Sequence, residues 1–221
     1  NIGLSLCSFL IFKLFLHKKL KMRYILFVVM LLQTVVGLSQ KKYDLSATKE
    51  YQQELDKEYA NAKTSPLDAK DLAKFKGLDF YPINEKYCVV AKFVRTPNEK
   101  PFQMPTSTER KVSFVKYGEA YFKLDGKKCK LNLYQSLDLI SNPEYNNDLF
   151  LPFFDETSGK ESYIGGKYID LKIPSGKTIT IDFNTSYNPY CAYSHRYSCP
   201  RVPLENDLKV AIRAGVKKYH N

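Results

Sequence analysis

KVSFVKYGEAYFKLDGKKCKLNLY, residues 111–134, decides the fold class. Apolar and polar residues alternate along it with a period of two, the pattern of strands with one buried face. Two breaks divide it. Asp125-Gly126 is a hairpin turn, because a two-residue type I′ turn needs positive φ at both central positions and Asp-Gly tolerates it. Tyr117-Gly118-Glu119 reads as a second turn. The stretch is therefore expected to hold three strands, 111–117, 119–124 and 128–134.

The same period continues on both sides. Residues 87–95 (YCVVAKFVR) form a strand before it; 167–173 and 177–184 are two more after it, joined at Pro174-Ser175-Gly176. Residues 97–108 read as a proline-containing loop. Residues 142–166 read as mostly loop, with one apolar run at 149–154. Residues 201–203 are extended, and 206–214 are a last strand or a short helix. Upstream the period is helical: Tyr51, Leu55, Tyr59 and Ala62 fall on one stripe of a helix over 46–62. A second short helix begins at Ser65-Pro66-Leu67-Asp68, with Ser65 as cap, Pro66 at the first helical position and Asp68 in the reciprocal capping place. Gly77 can close it in a left-handed conformation. The expected fold is mainly β of the α+β kind, an antiparallel β-barrel or sandwich-like domain with one or two N-terminal helices.

The N-terminal 39 residues read differently. From Met22 a short positive start precedes the apolar run 24–36 and the small residues Gly37 and Ser39, the layout of a secretory signal peptide cleaved before Gln40. Residues 1–21 read as translated upstream sequence. Neither apolar run reaches the roughly 20 residues of a spanning helix, so no stable membrane span is expected after cleavage. No cysteine follows the small residues, which argues against a lipoprotein anchor. Residues 40–221 are expected to be a single β-rich domain, exported to the periplasm or secreted. The whole chain carries 34 Lys and Arg against 23 Asp and Glu, net +11. The leader holds five of those bases and no acid, so the mature chain has 29 bases and net charge +6. These are scattered among acids, a solvated surface rather than a nucleic-acid patch.

Four cysteines remain after cleavage: Cys88, Cys129, Cys191 and Cys199. An even count in an oxidising compartment favours disulfides. Of the three pairings, Cys191–Cys199 is the most economical, since Pro189 and Pro200 fix the flanks of one short loop. Cys88–Cys129 would then be the second bridge. That loop lies in DFNTSYNPYCAYSHRYSCPRVPLEN, residues 182–206. Its C-x3-H-x3-C spacing would suit zinc on a helix, but the prolines argue against the helix and a bridge would leave His195 without thiolate partners. No metal and no cofactor is expected. Thr157-Ser158-Gly159-Lys160 lacks the residue order of a phosphate loop. No G-x-S-x-G elbow is present, and a histidine-dependent hydrolase would have to use His195. Asp155 and Asp182, each beside aromatics, could run glycoside hydrolysis if held about 5–10 Å apart. The plainer reading is that each carboxylate accepts backbone N–H bonds and pins a loop.

Several segments together resemble the family catalogued as domain of unknown function 1684, from about Tyr51 to Ala214. They are Ser65-Pro66-Leu67, Phe75-x-Gly77-Leu78-x-Phe80-x-Pro82 and Pro105-Thr106-Ser107-Thr108. Next come Leu149-Phe150-x-Pro152-Phe153-x-Asp155-x-Thr157-Ser158-Gly159 and Tyr163-x-x-Gly166-x-Tyr168-x-Asp170. The last are Asp182-Phe183-Asn184, Tyr187-Asn188-Pro189-x-Cys191-Ala192-Tyr193, Cys199-Pro200 and Pro203-x-Glu205-Asn206. The resemblance implies no established activity. Cys88 and Cys129 depart from its usual pattern, which supports their pairing, and Lys167 stands where arginine is expected. It directs attention to four polar loops, which are expected to converge in one pocket lined by Asp155, Thr157, Tyr168, Asp182, Asn184, Asn188, Tyr193 and His195. The leading expectation is a non-catalytic binding or envelope-accessory domain whose partner is a small molecule or envelope component. The rivals are a hydrolase and a structural interaction protein.

Overall fold

Among the described residues there are seven strands: β1 (Cys88–Arg95), β2 (Phe102–Pro105), β3 (Lys111–Leu124), β4 (Lys127–Ser136), β5 (Asp148–Phe153), β6 (Lys167–Lys172) and β7 (Thr178–Asp182). In this computed structural model they form one antiparallel sheet, ordered β6-β5-β4-β3-β1-β7, with β2 paired to β3, curled into a half-barrel. Within residues 43–219 two α-helices precede the sheet, α1 (Leu45–Ala60) and α2 (Ala69–Leu72). The structure describes residues 43–219 and, ahead of them, only His17, Lys21 and Tyr24. The signal-peptide reading of 22–39 lies outside the described residues. Among the described residues no helix is long and apolar enough to cross a membrane.

Asp125 and Gly126 take φ of 48° and 76°, the positive values that the β3–β4 hairpin needs. Gly118 is a correction. It is not a turn but sits at a register shift inside the single long strand β3, where one extra residue bulges. The Phe93 ring lies on it, and a Cβ there would come within 2.5 Å of Phe93 Cε2. β2 forms within the proline loop, and β5 within the segment read as mostly loop. α2 starts at Ala69, four residues after Ser65. Asp68 makes no side-chain cap; it accepts instead from Ser194 Oγ at 2.7 Å.

The main core lies inside the curl. It collects Ala91 and Phe93 from β1, Phe122 from β3, Leu131 and Leu133 from β4, Leu149, Leu151 and Phe153 from β5, and Ile179 and Ile181 from β7. The segment 206–216 completes it. Leu208, Val210, Ile212 and Ala214 are buried while Lys209 and Arg213 are exposed, so the period is two. Yet after the 3-10 turn Leu204–Asn206 it forms no regular strand. Its backbone meets only isolated partners: Asp207 bridges Phe154, with Leu208 N to Phe154 O at 2.9 Å, Val216 bridges Phe80, and Glu156 N reaches Val210 O at 3.1 Å. Burying Leu208, Val210 and Ile212 contributes about 1.5–3 kcal/mol each.

Two side-chain devices hold this segment. The Lys167 ammonium, wholly buried, donates to Ile212 O at 2.8 Å and Ala214 O at 3.3 Å and pairs with Asp155 Oδ2 at 3.2 Å. Asp155 Oδ1 in turn accepts from Thr157 N at 2.8 Å and Ile212 N at 3.1 Å. The second device is Asn206. β4 and β5 pair directly at one position, Tyr134 opposite Phe150. Where they part, the Asn206 side chain accepts from Asn132 N at 2.8 Å and donates to Asn132 O at 2.9 Å and Pro152 O at 2.7 Å. One side-chain amide thus replaces a peptide unit in the seam.

Candidate functional site

Alternation along β5 and β6 sends one set of side chains to the core and the other to a cleft on the opposite face. Leu149, Leu151 and Ile169 go to the core. Phe150, Tyr168 and Asp170 floor the cleft, and Phe150 stands directly opposite Asp170 across the ladder. The Phe150 and Tyr168 rings meet edge to face at 4.7 Å, and Tyr168 meets Tyr187 at 5.9 Å and 88°. The Tyr168 hydroxyl donates to Pro200 O, tying the floor to the 187–200 loop. α1 supplies the facing wall through Tyr51, Glu54, Leu55 and Glu58. The cleft holds about 530 Å³.

α1 is seated there by polar anchors. Asp44 caps it, accepting from Ser46 N and Ala47 N at 3.1 Å each. Thr48 Oγ1 donates to Asp182 Oδ2 at 2.6 Å, and Gln52 Nε2 to Asn184 O at 2.9 Å. Its apolar stripe, Leu55 and Tyr59, packs with Leu67, Tyr193 and Val216 in a second core.

Two of the cleft's three carboxylates are each oriented by one phenol. Tyr187 OH donates to Asp170 Oδ2 at 2.6 Å, and Tyr190 OH to Glu58 Oε1 at 2.5 Å. Asp170 is exposed to solvent at the mouth of the cleft, yet protein atoms crowd it from behind. That crowding raises its carboxyl above the ordinary value, against the Tyr187 bond, and nearby Asp148 pushes the same way. Tyr51 is raised by burial and then by Asp170 and Glu58. Tyr187 is likewise raised by burial and by Asp170. Both phenols stay protonated, and Tyr187 acts as a donor to Asp170.

The residues singled out from sequence are distributed elsewhere, apart from Tyr168. Asp155 and Thr157 form a buried turn, with Thr157 Oγ1 2.8 Å from Ser162 Oγ, and Asp155 clamps the 206–216 segment. Asp182 Oδ1 accepts from Asn184 N at 3.0 Å and Asn184 Nδ2 at 2.7 Å. Asn184 also accepts from Asn84 N at 3.0 Å and donates to Asn84 O at 3.0 Å. Asn188 Nδ2 donates to Lys217 O at 2.8 Å and to Tyr193 OH at 3.3 Å. His195 is exposed on the outer loop. Neither Asp155 nor Asp182 lines this cleft; both carboxylates bond backbone and side chains instead. Asp170, Glu54, Glu58 and Tyr187 were missed as site residues. The signal was Tyr168-x-Asp170 on a strand, since residues two apart share a face.

The four cysteines are free in the structure. β3 lies between the strands of Cys88 and Cys129, so their Cα atoms stand about 9.5 Å apart at least, beyond the roughly 7 Å limit for a bridge. Cys191 and Cys199 are unbonded neighbours, with Cys191 N donating to Cys199 Sγ at 3.2 Å. The hydrogen bond from Cys199 holds the Cys191 thiol down to about 6 and pushes the Cys199 thiol up. Among the described residues no group of three or more His, Cys, Asp or Glu could hold a metal ion.

The family described as protein of unknown function (DUF1684) matches residues 73–217. Among solved structures, the solution NMR structure of an uncharacterized protein of Haloarcula marismortui is 30% identical, with a TM-score of 0.62 over 78% of this chain and 92% of that one. No curated protein matches.

Proposed function

The chain belongs to the DUF1684 family, and from that premise we propose that it is a non-catalytic domain that binds a small molecule in the cleft floored by Phe150, Tyr168 and Asp170. One observation carries the reading. A cleft of about 530 Å³ has aromatic walls and a few fixed polar groups, and small-molecule sites typically span roughly 300–1,000 Å³ with that makeup. The Tyr187 and Tyr190 hydroxyls are already committed as donors to carboxylates and Tyr168 to a backbone carbonyl, an arrangement for recognition rather than proton transfer.

A thermal-shift screen of metabolites, sugars and peptidoglycan fragments, followed by amide NMR mapping, tests it. A ligand held at 100 times its Kd is expected to add about 2.7 kcal/mol of stability. It should also move the amide signals of Asp170, Tyr187 and Glu58. Hits whose shifts all fall away from these residues would overturn the assignment.

Export and oxidation belong to the same proposal. The leader would carry the domain to an oxidising compartment, and Cys191–Cys199 is the pair placed to close there, since a thiol with a depressed pKa reacts readily with an oxidant. Mass spectrometry of protein recovered from its native compartment is expected to show a chain beginning at Gln40, with the peptides of Cys191 and Cys199 linked. Peptides from residues 22–39 would refute export, and free thiols at both positions would refute the bridge.

A further inference from the structure

Resting on the cleft reading above, we propose that the ligand is an organic cation, its ammonium group seated against Asp170 and Glu58 and its apolar body over Phe150 and Tyr168. The charge of the lining sets the sign. The chain as a whole carries net charge +11, yet the cleft is lined by Glu54, Glu58 and Asp170 and by no Lys, Arg or His. The nearest lysine of the floor strand, Lys172, pairs with Asp148 instead.

The carboxylates are also poised. Tyr187 takes one oxygen of Asp170 and Tyr190 one oxygen of Glu58. The phenols fix both groups in place and leave Asp170 Oδ1 and Glu58 Oε2 without a protein hydrogen bond among the described residues. Each can accept an ammonium N–H, and such charge-assisted bonds are the strong ones. Aromatic ring faces carry negative electrostatic potential and attract cations within about 6 Å. An anion would meet three carboxylates in the same space and be rejected. The raised carboxyl of Asp170 agrees with the assignment, because an ammonium in the cleft would offset the crowding and the Asp148 charge that raise it. The groups facing it are Tyr51, Glu54 and Glu58 from α1, Tyr187 from the loop, and Asp148 and Lys172 from β5 and β6.

The test uses three probes of one shape, benzylammonium, benzyl alcohol and benzoate, titrated into the protein at pH 7 with amide NMR as readout. Benzylammonium is expected to bind in the cleft about tenfold more tightly than benzyl alcohol, the value of one charged hydrogen bond, with benzoate weakest. Asp170→Asn is expected to erase most of that tenfold and leave benzyl alcohol unaffected. Glu58→Gln serves as a second variant with the same readout. Benzylammonium affinity is also expected to fall as the pH is lowered, since a carboxyl raised above its ordinary value takes up its proton early. Benzyl alcohol or benzoate binding the cleft as tightly as benzylammonium would overturn the cation class and leave the small-ligand reading standing. Unchanged preference in both variants would do the same. No cleft shift from any probe or from the metabolite screen would remove both.

Discussion

Lys167→Met is expected to lower the stability by about 3–5 kcal/mol, the range for removing one partner of a buried ion pair. The ammonium and the Asp155 carboxylate are both 0% exposed in their side chains. With the lysine gone, Asp155 keeps its bonds to Thr157 N and Ile212 N but loses its counter-charge in a site that water does not reach. The carbonyls of Ile212 and Ala214 lose their donor as well. Burial already lowers the Lys167 pKa, with Asp155 opposing that shift, so the pair is held at a cost that its mutual attraction offsets. Urea denaturation at neutral pH measures the effect as a drop in the midpoint. The double variant Lys167→Met/Asp155→Asn is expected to recover part of the loss, because no charge is then left uncompensated. A single-variant loss below about 1 kcal/mol, a typical exposed-pair value, would show that the clamp does not hold the segment.

Asn206→Ala is expected to cost about 3–4 kcal/mol, in the upper range for single substitutions. The residue is fully buried. Its amide serves Asn132 N, Asn132 O and Pro152 O, and an unsatisfied buried polar group costs about 1–3 kcal/mol. Penetrating water can recover some of this at the seam, which keeps the total below the sum of the three. The same denaturation assay gives the magnitude, and hydrogen exchange gives the location. The Asn132 amide is expected to lose protection before the β3–β4 hairpin does. Unchanged protection at Asn132 would mean that the seam closes by itself.

Sequence made the strands with one solvent-facing side legible, because alternation is a local signal. β3, β4 and β7 were read this way. β5 was not, since LFLPF offers no alternation to read when the core lies on one face and the cleft on the other. Gly118 looked like a turn because turns and bulges both recruit glycine; the Phe93 ring that settles the matter comes from another strand. Segment 206–216 has the period of a strand, but its partners are the Asp155 and Lys167 side chains, which no local pattern announces. The site failed for the same reason. Asp155, Asp182 and Asn184 carry the residue types of chemistry and are consumed in holding loops. Glu54 and Glu58 look like the wet face of a surface helix until α1 is docked against the 182–193 segment.

That docking gives the cleft two separately encoded halves. The floor is written into the ladder of β5 and β6, inside the family match at 73–217, and its residues answer to the core behind them. The α1 wall at 51–58 precedes that match and is held by Leu55 and Tyr59 in the second core and by the polar anchors Thr48 and Gln52, which leaves Glu54 and Glu58 outside that packing. Under the proposed binding role, substitutions of Glu54 and Glu58 on the wall would retune which molecule is accepted while the scaffold beneath stays fixed, so divergence in specificity should be sought first in the helix.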